Sequence, residues 1–441
     1  DGREWGHSIL SAFTSGYTSG TVGFGLDAHA YLALKLDSGR GRNRSDMFPM
    51  KSNGASRDES TSAGAAVKMR ISRSELKYGD LRPYNPVFAL ADTRMFPATA
   101  TGFMFTSSEI DDLYIDAGHF TSGKDYNQTH GDGDFFAGYA GVKGGNVDYL
   151  GGSYGIDDNT SVTLYTSRYE DLWRQHYLNG NYTLPLGEQR ALNLDANIYR
   201  TTEQGQALAG NIDVTAWSLA AAYSIGAHTL TLGYQKIHGD QPLDYLVMSG
   251  GGFQDSIYLG NASQYANFNG PNERSWRVGY DLDLSAIGLP GASFSIRHVR
   301  GSDIDGTHTS ADSAYYGLYG KNDKHHTTDL DARYVVLSGV AKDLSLASAS
   351  CPDHDPTCYP VRCACTQKRR NPPASSPSIQ ASQISTASAG VKVSGSSPCS
   401  SHNPSNNAVR PMAARPLSKS TQHCSSASCP RACASIDRYS L

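Results

Sequence analysis

Residues 21–37 read Thr21-Val-Gly-Phe-Gly-Leu-Asp-Ala-His-Ala-Tyr-Leu-Ala-Leu-Lys-Leu-Asp37, and this stretch decides the fold. Every second residue, from Val22 through Phe24, Leu26, Ala28, Ala30, Leu32 and Leu34 to Leu36, is apolar. The interleaved set, Gly23, Gly25, Asp27, His29, Tyr31, Ala33 and Lys35, is mostly small or polar. Successive side chains of an extended strand point to opposite faces, so the stretch is one long strand with an apolar side and a polar side. A helical period would mix the two sets on every face.

The alternation recurs. Leu192, Leu194, Ala196 and Ile198 share one parity, as do Trp217, Leu219, Ala221, Tyr223 and Ile225, then Leu230, Leu232 and Tyr234, and again Trp276, Val278, Tyr280, Leu282 and Leu284. Further runs near 66–81, 99–120, 134–156, 160–169, 292–300 and 329–337 bring the expected number of strands to about sixteen to eighteen. Short turns such as 224–228 alternate with longer polar loops at 37–64, 239–272 and 301–328. A soluble sandwich also has one wet and one dry face, so alternation does not by itself name the solvent. Strands of ten or more residues, aromatics at strand ends (Tyr17, Trp173, Tyr177, Trp217, Trp276) and alternating long and short connections together point to a large antiparallel transmembrane β-barrel. Closure leaves no backbone group unpaired in lipid, which an open sheet would.

Composition agrees. The chain has 441 residues, 39% of them apolar, and no run approaches the roughly 18 apolar residues of a spanning helix. A formal charge of -4 gives no electrostatic reason to expect nucleic acid as a partner. All eight cysteines and eleven of the nineteen prolines fall after residue 346. The same tail, 347–441, carries ten of the 38 basic and three of the 42 acidic residues, a net +7 against -11 for the body. With Tyr359 and Tyr439 as its aromatics, it has too little apolar mass to offset its ordering entropy, and disorder is expected there. No signal peptide is readable ahead of Asp1, so the expectation is a leader already removed or a start further upstream.

Particular segments then become familiar. Thr18-Ser-Gly-Thr-Val-Gly-Phe-Gly-Leu-Asp27, Lys35-Leu-Asp-Ser-Gly39, Ser74-Glu-Leu-Lys77, Thr106-Ser-Ser-Glu-Ile-Asp111, Gln175-His-Tyr-Leu178 with Thr183-Leu-Pro-Leu186, Glu273-Arg-Ser-Trp276 and Ala286-Ile-Gly-Leu-Pro-Gly291 resemble the OprD family of bacterial outer-membrane porins. The likeness covers residues 1 to about 346. It implies an eighteen-stranded monomeric barrel, inserted by the barrel-assembly machinery, surrounded by outer-membrane lipid and passing small carboxylate-bearing solutes by diffusion. No cofactor is implied. After Lys342-Asp-Leu-Ser-Leu346 the likeness stops where the family's final strands follow, so the expectation is a barrel without its terminal strands, an unrelated tail from a shifted reading frame, and poor assembly. A secreted all-β enzyme or carbohydrate-binding protein, and a non-conducting structural barrel, are the competing readings.

In a porin the chemistry is selectivity: fixed charge lining the lumen lowers the barrier for counter-charged solutes. Parity sends Lys68, Arg70, Lys77, Arg277, Arg297 and Arg333 inward. By resemblance these six belong to the basic track that guides carboxylates; the plainer reading pairs each with a neighbour such as Asp281, Asp329 or Asp331. The constriction is expected from 81–97, with Tyr84 and Arg94, and from 239–272. There Asp255 resembles an acidic residue of the family's second narrowing loop, while Gln264 stands where members admitting basic amino acids carry another Asp.

Four motifs are decoys. Gly151-Gly-Ser153-Tyr-Gly155 has the spacing of a nucleophile elbow but lies inside a β run, with no helix to follow. Asp303-Ile-Asp305-Gly306 and Asp132-Gly-Asp134 lack the downstream bidentate Glu of a calcium loop. Cys351, His354, Cys358, Cys363 and Cys365 fit no standard zinc spacing.

Overall fold

A computed structural model describes residues 4–37, 42, 47–92, 94–248, 256–264, 266–339, 342–354, 364–370 and 388–394, with side chains up to 346. The strands β1 Gly6–Thr14, β2 Val22–Lys35, β3 Glu59–Ile71, β4 Ser74–Leu81, β5 Thr99–Ser107 and β6 Leu113–Lys124 lead into β7 Val147–Gly155, β8 Thr160–Tyr169 and β9 Trp173–Pro185. There follow β10 Arg190–Glu203, β11 Asp213–Ile225, β12 His228–His238, β13 Arg274–Asp283, β14 Ala292–Asp305 and β15 Lys321–Val335, then β16 Leu344–His354, β17 Ala364–Arg370 and β18 Ser388–Ser394. These eighteen form one sheet, each antiparallel to its chain neighbour from β1 through β17, with β18 running along β1 to bring the two ends together.

The longest connections share one end, which also holds the short turn 170–172. Turns at 72–73, 156–159, 186–189 and 226–227 lie at one end of the barrel, and the loops 36–58, 82–98, 125–146, 239–273 and 306–320 at the other. The two-residue turn between Ile225 and His228 needs a left-handed first residue, which Gly226 supplies at φ 55°. Outer-membrane barrels keep short turns on the periplasmic side and long loops outside the cell.

From β1 through β15 the outer wall is the apolar parity of the strands. Leu26, Leu194, Leu232 and Val278 are 43, 43, 55 and 40% exposed, and none is in a dry core. Tyr154, Tyr182, Tyr223 and Tyr334 ring the short-turn end, and Trp217, Tyr234 and Trp276 stand near the long-loop end. The packed core is inside the barrel, where Phe88, Phe120, Phe135, Tyr149, Tyr169, Trp173 and Tyr199 form one cluster.

Several expectations are corrected. Trp173 and Tyr177 are buried in that inner cluster and Tyr17 lies against inward-facing cations, so these three do not belong to the interfacial belt. The loop read as 37–64 gives way to β3 from Glu59, because Ser60, Thr61, Ser62, Ala63 and Gly64 are small on both faces and offer no apolar contrast to read. The loop read as 301–328 shrinks to 306–320: above the apolar band both faces of a strand are wet, and alternation disappears while backbone pairing continues. The tail is not strandless either. β16, β17 and β18 pair in the sheet, since ladder hydrogen bonds are made by backbone groups whatever the side-chain pattern.

Candidate pore and constriction

Three of the six expected cations sit together on the inner face of β3 and β4. The Lys68 ammonium is 2.5 Å from one oxygen of Asp27 on β2, and the Lys77 ammonium 3.1 Å from the other and 3.0 Å from Glu75. Lys68 also lies 5.1 Å from the centre of the Tyr17 ring, and the Arg70 guanidinium stacks 4.4 Å from the same ring. Gly25 makes room for this: a Cβ there would stand 2.7 Å from the Lys68 Cε. A further cation escaped the sequence reading. Lys124, at the end of β6, binds Asp80 at 3.0 Å and the Ala63 carbonyl at 2.7 Å. Lys124 shares the inward parity of Asp116 and Phe120, but Thr121, Ser122 and Gly123 offer no apolar face that would carry the strand past 120 in the sequence.

Residues 82–98 fold into the barrel. Asn85 makes the turn, its side-chain oxygen accepting from the Val87 and Phe88 amides at 3.2 and 2.8 Å while its amide donates to Asp116 at 3.2 Å. Phe88 then enters the aromatic wall, its ring edge-on to Phe120 at 5.3 Å and Phe135 at 5.9 Å. The Tyr169 hydroxyl donates to the Val87 carbonyl. Tyr84 stays half-exposed, edge-on to the Tyr258 ring at 6.1 Å. The Arg94 guanidinium lies over the Tyr126 ring at 5.4 Å.

Residues 256–264 also run inside the barrel, held strand by strand. The Ser256 hydroxyl accepts from the Ala89 amide at 3.0 Å, which joins the two inward segments. On β10 the Tyr199 hydroxyl accepts from the Tyr258 amide at 3.0 Å and is shared between the Pro86 and Ser256 carbonyls at 3.0 and 3.3 Å. Ser218 on β11 accepts from the Gly260 amide at 2.8 Å, and Gln235 on β12 from the Asn261 amide at 3.0 Å. Arg277 on β13 donates to the Gly260 carbonyl and Arg297 on β14 to the Ala262 carbonyl at 3.1 Å. On β15, Asp329 accepts from the Gln264 amide at 3.0 Å and Asp331 from its side chain at 2.8 Å. Six consecutive strands thus each offer a polar group to one extended segment. Arg277 and Arg297 point inward as expected but hold backbone there, and Gln264 serves as an anchor. Arg333 shares the inward parity of Asp329 and Asp331 near the short-turn end. Asp255 lies outside the described residues.

A closed β wall, lipid-facing outside and polar within, narrowed by two inward segments, is the architecture of a selective pore. Residues 1–351 match the family described as outer membrane porin, OprD family. The chain belongs to the OprD family of outer-membrane porins. Porin D of Pseudomonas aeruginosa is 49% identical over 351 residues, covering 78% of this chain and 79% of that protein. The porin-like protein GalP of Pseudomonas putida is 28% identical over 346 residues with the same coverage. The crystal structure of P. aeruginosa OprD superposes with a TM-score of 0.67 at 43% identity, covering 80% of this chain and 90% of that one. P. aeruginosa OpdK, solved with vanillate, gives 0.67 at 27% identity, over 84% of this chain and 94% of that one.

In this OprD-family porin the outer loops are locked by a buried carboxylate. Asp244 accepts from the Tyr139 and Tyr245 amides at 3.0 and 2.7 Å and from the Tyr315 hydroxyl at 2.9 Å, tying together three loops. Burial pushes its carboxyl up to about 6, against the pull of those donors, and burial likewise raises the Tyr139 and Tyr315 hydroxyls. The motifs set aside in the sequence have ordinary partners: Ser153 lies in β7 and shares a hydrogen bond with Thr163 at 2.8 Å, and Asp303 and Asp134 are paired with Arg274 and Lys143. Among the described residues no cluster could hold a metal, and the side chains of the tail cysteines lie outside them.

Two outcomes follow from this geometry. Tyr199→Phe removes the hydroxyl shared by both inward segments, a loss of about 1–3 kcal/mol for the buried groups left unpaired. Single-channel recording is expected to show a larger and noisier conductance; a trace identical to the parent's would count against the anchor. The second concerns pH. Because the folded-state pKa of Asp244 is raised, the loop lock is weakest when the carboxyl is charged, strengthens as pH falls through about 6, and levels off near 4. Hydrogen exchange at the Tyr139 and Tyr245 amides, corrected for intrinsic rates, is expected to slow by about tenfold or more from pH 7.5 to 5, and Asp244→Asn is expected to abolish that dependence.

Proposed function

We propose that this porin passes small carboxylate-bearing solutes, amino acids or organic acids, along an inward-facing basic track formed by Lys68, Arg70, Lys77, Arg277, Arg297 and Arg333. The observation that carries the reading is the cluster on β3 and β4, where Lys68, Arg70 and Lys77 converge around two carboxylates, Asp27 and Glu75, and one aromatic ring. That OpdK was solved with vanillate, itself a carboxylate, supports the same solute class. Tyr84, Arg94 and Gln264, together with Asp255, set the width and polarity of the narrowest passage. The chain acts as a monomer in outer-membrane lipid after insertion by the barrel-assembly machinery.

The test is ion selectivity and solute flux in bilayers. Under a salt gradient the parent is expected to prefer anions, and to pass a small carboxylate faster than the neutral amide of the same size. Lys68→Gln with Lys77→Gln is expected to lower carboxylate flux about tenfold, the effect of roughly 1.4 kcal/mol of lost attraction. Equal flux of acid and amide through the parent would overturn the proposal.

We also propose that residues 347–441 are unrelated to the porin body and come from a shifted reading frame. The segment Ala364-Cys-Thr-Gln-Lys-Arg-Arg370 has no apolar alternation, so any register in the wall presents polar residues to lipid. A reduced folded fraction is expected, read as a weaker heat-modifiable band on gels than for a chimera carrying Porin D's own closing strands. Equal bands would defeat it.

A further inference from the structure

The outer wall is not apolar all the way up. Along the lipid-facing parity of β12, the sequence passes from Leu230 and Leu232 to Tyr234, then Lys236 and His238 toward the long loops. β13 passes from Val278 to Trp276 to Arg274, and β14 from Ile296 through His298 to Arg300. Trp and Tyr mark the level of the headgroups, so the cations beyond them stand at headgroup depth or just outside it.

The register sharpens this. Arg168 on β8 is directly opposite Arg174 on β9, and His176 is opposite Arg200 on β10. Lys236 is opposite Arg274, and Arg300 is opposite His326 on β15. Cross-strand neighbours have their Cβ atoms about 5 Å apart, where like charges are destabilising, yet two cations face each other twice in this arc, at Arg168 with Arg174 and at Lys236 with Arg274. Three carboxylates answer it in part: Asp148 binds Arg168 at 2.9 Å, Asp213 binds Arg200, and Asp303 binds Arg274 at 2.5 Å. Arg174 and Arg300 have no carboxylate partner among the described residues. The opposite rim has the reverse charge, with Asp111, Asp112, Asp157, Asp158, Glu188 and Asp283 at or beside its short turns.

We propose that this arc is a docking surface for the phosphate groups of lipids in the leaflet that faces the long loops. A phosphate presents several acceptor oxygens, each able to take two parallel N–H bonds from a guanidinium, so one group bridges Arg168 and Arg174 and another bridges Arg274 and Arg300. The occupant is a lipid because the cations border an apolar wall. Whatever brings the anion there has to share the surface with acyl chains, and a phospholipid or phosphoglycolipid supplies both. Bound phosphate removes the repulsion that the sheet otherwise sustains, and fixes the depth of the barrel in its membrane.

The test uses the folded full-length chain in phosphatidylcholine nanodiscs doped with diphosphoryl lipid A or with the same glycolipid stripped of phosphate, and reads retained lipid by native mass spectrometry. Preferential retention of the phosphorylated form is expected. It should fall about fivefold for Arg174→Gln or Arg300→Gln and roughly 25-fold for the pair, with no change for Arg190→Gln at the other rim. Neither guanidinium contributes an ion pair to the fold among the described residues, so the heat-modifiable band of the variants is expected to match the parent's. Equal retention of the two glycolipids, or no loss in the double variant, would overturn the proposal. So would displacement by millimolar inorganic phosphate, which would assign the arc to soluble anions.

Discussion

Hydrocarbon offers a peptide group no hydrogen bond, and the rest of this structure depends on that fact. The sheet has to close, and β18 pairs with β1 at its first edge. Once it is closed, each strand has one face for lipid and one for water, and the choice is made residue by residue through parity. All polar function within the membrane therefore has to come from the inward half of the residues. Asp27, Lys68, Lys77, Tyr199, Gln235 and Arg277 are used in this way.

The two inward segments meet the same demand by different physics. Residues 86–91 carry mostly apolar side chains, and the barrel answers with aromatics: the rings of Phe120, Phe135, Tyr149 and Tyr169 surround Phe88. Area burial dominates there, and few hydrogen bonds are needed. Residues 256–264 are small and polar, so their backbone groups are taken up individually by Tyr199, Ser218, Gln235, Arg277, Arg297 and Asp329. Each such group would cost about 1–3 kcal/mol if left buried without a partner. The Ser256–Ala89 contact joins the two, so neither segment moves without the other.

How far the sequence could be read follows from the same division. Strands were legible where one face meets lipid, as in β2 or β12, because hydrocarbon enforces a strict period of two. They were illegible where both faces are wet, as in 301–305 and 321–328, or where both are small, as in 59–64. Inward cations on regular strands follow from parity, and Lys124 was missed because Thr121, Ser122 and Gly123 carry no apolar contrast that would extend the strand past 120. Trp173 and Tyr177 read as interfacial aromatics because composition does not record which side of a wall a ring is on; Trp173 packs on Tyr169, and Tyr177 on Tyr199 and on Tyr258, which is far away in sequence. The clamp roles of Arg277, Arg297 and Gln264 were invisible for a like reason, since parity gives a direction and no partner.

The pairing of the lumen cations with acids is itself consistent with transport. A lone ammonium in a narrow, partly desolvated passage attracts a carboxylate strongly and releases it slowly, and conduction requires that binding be favourable enough to enter and weak enough to leave. Lys68 and Lys77 share Asp27, so under the proposed function an arriving carboxylate would exchange with an acid already in place and gain the difference between two similar contacts. Arg70, stacked on Tyr17 with no carboxylate partner among the described residues, keeps its charge on offer one step nearer the short-turn end. Arg277 and Arg297 each give one donor to a loop carbonyl and retain others on the same planar fork. A guanidinium can fix the constriction and still present positive charge to the passage, a combination that an ammonium holding the same carbonyl provides less well, because its three donors radiate from one atom with no preset plane.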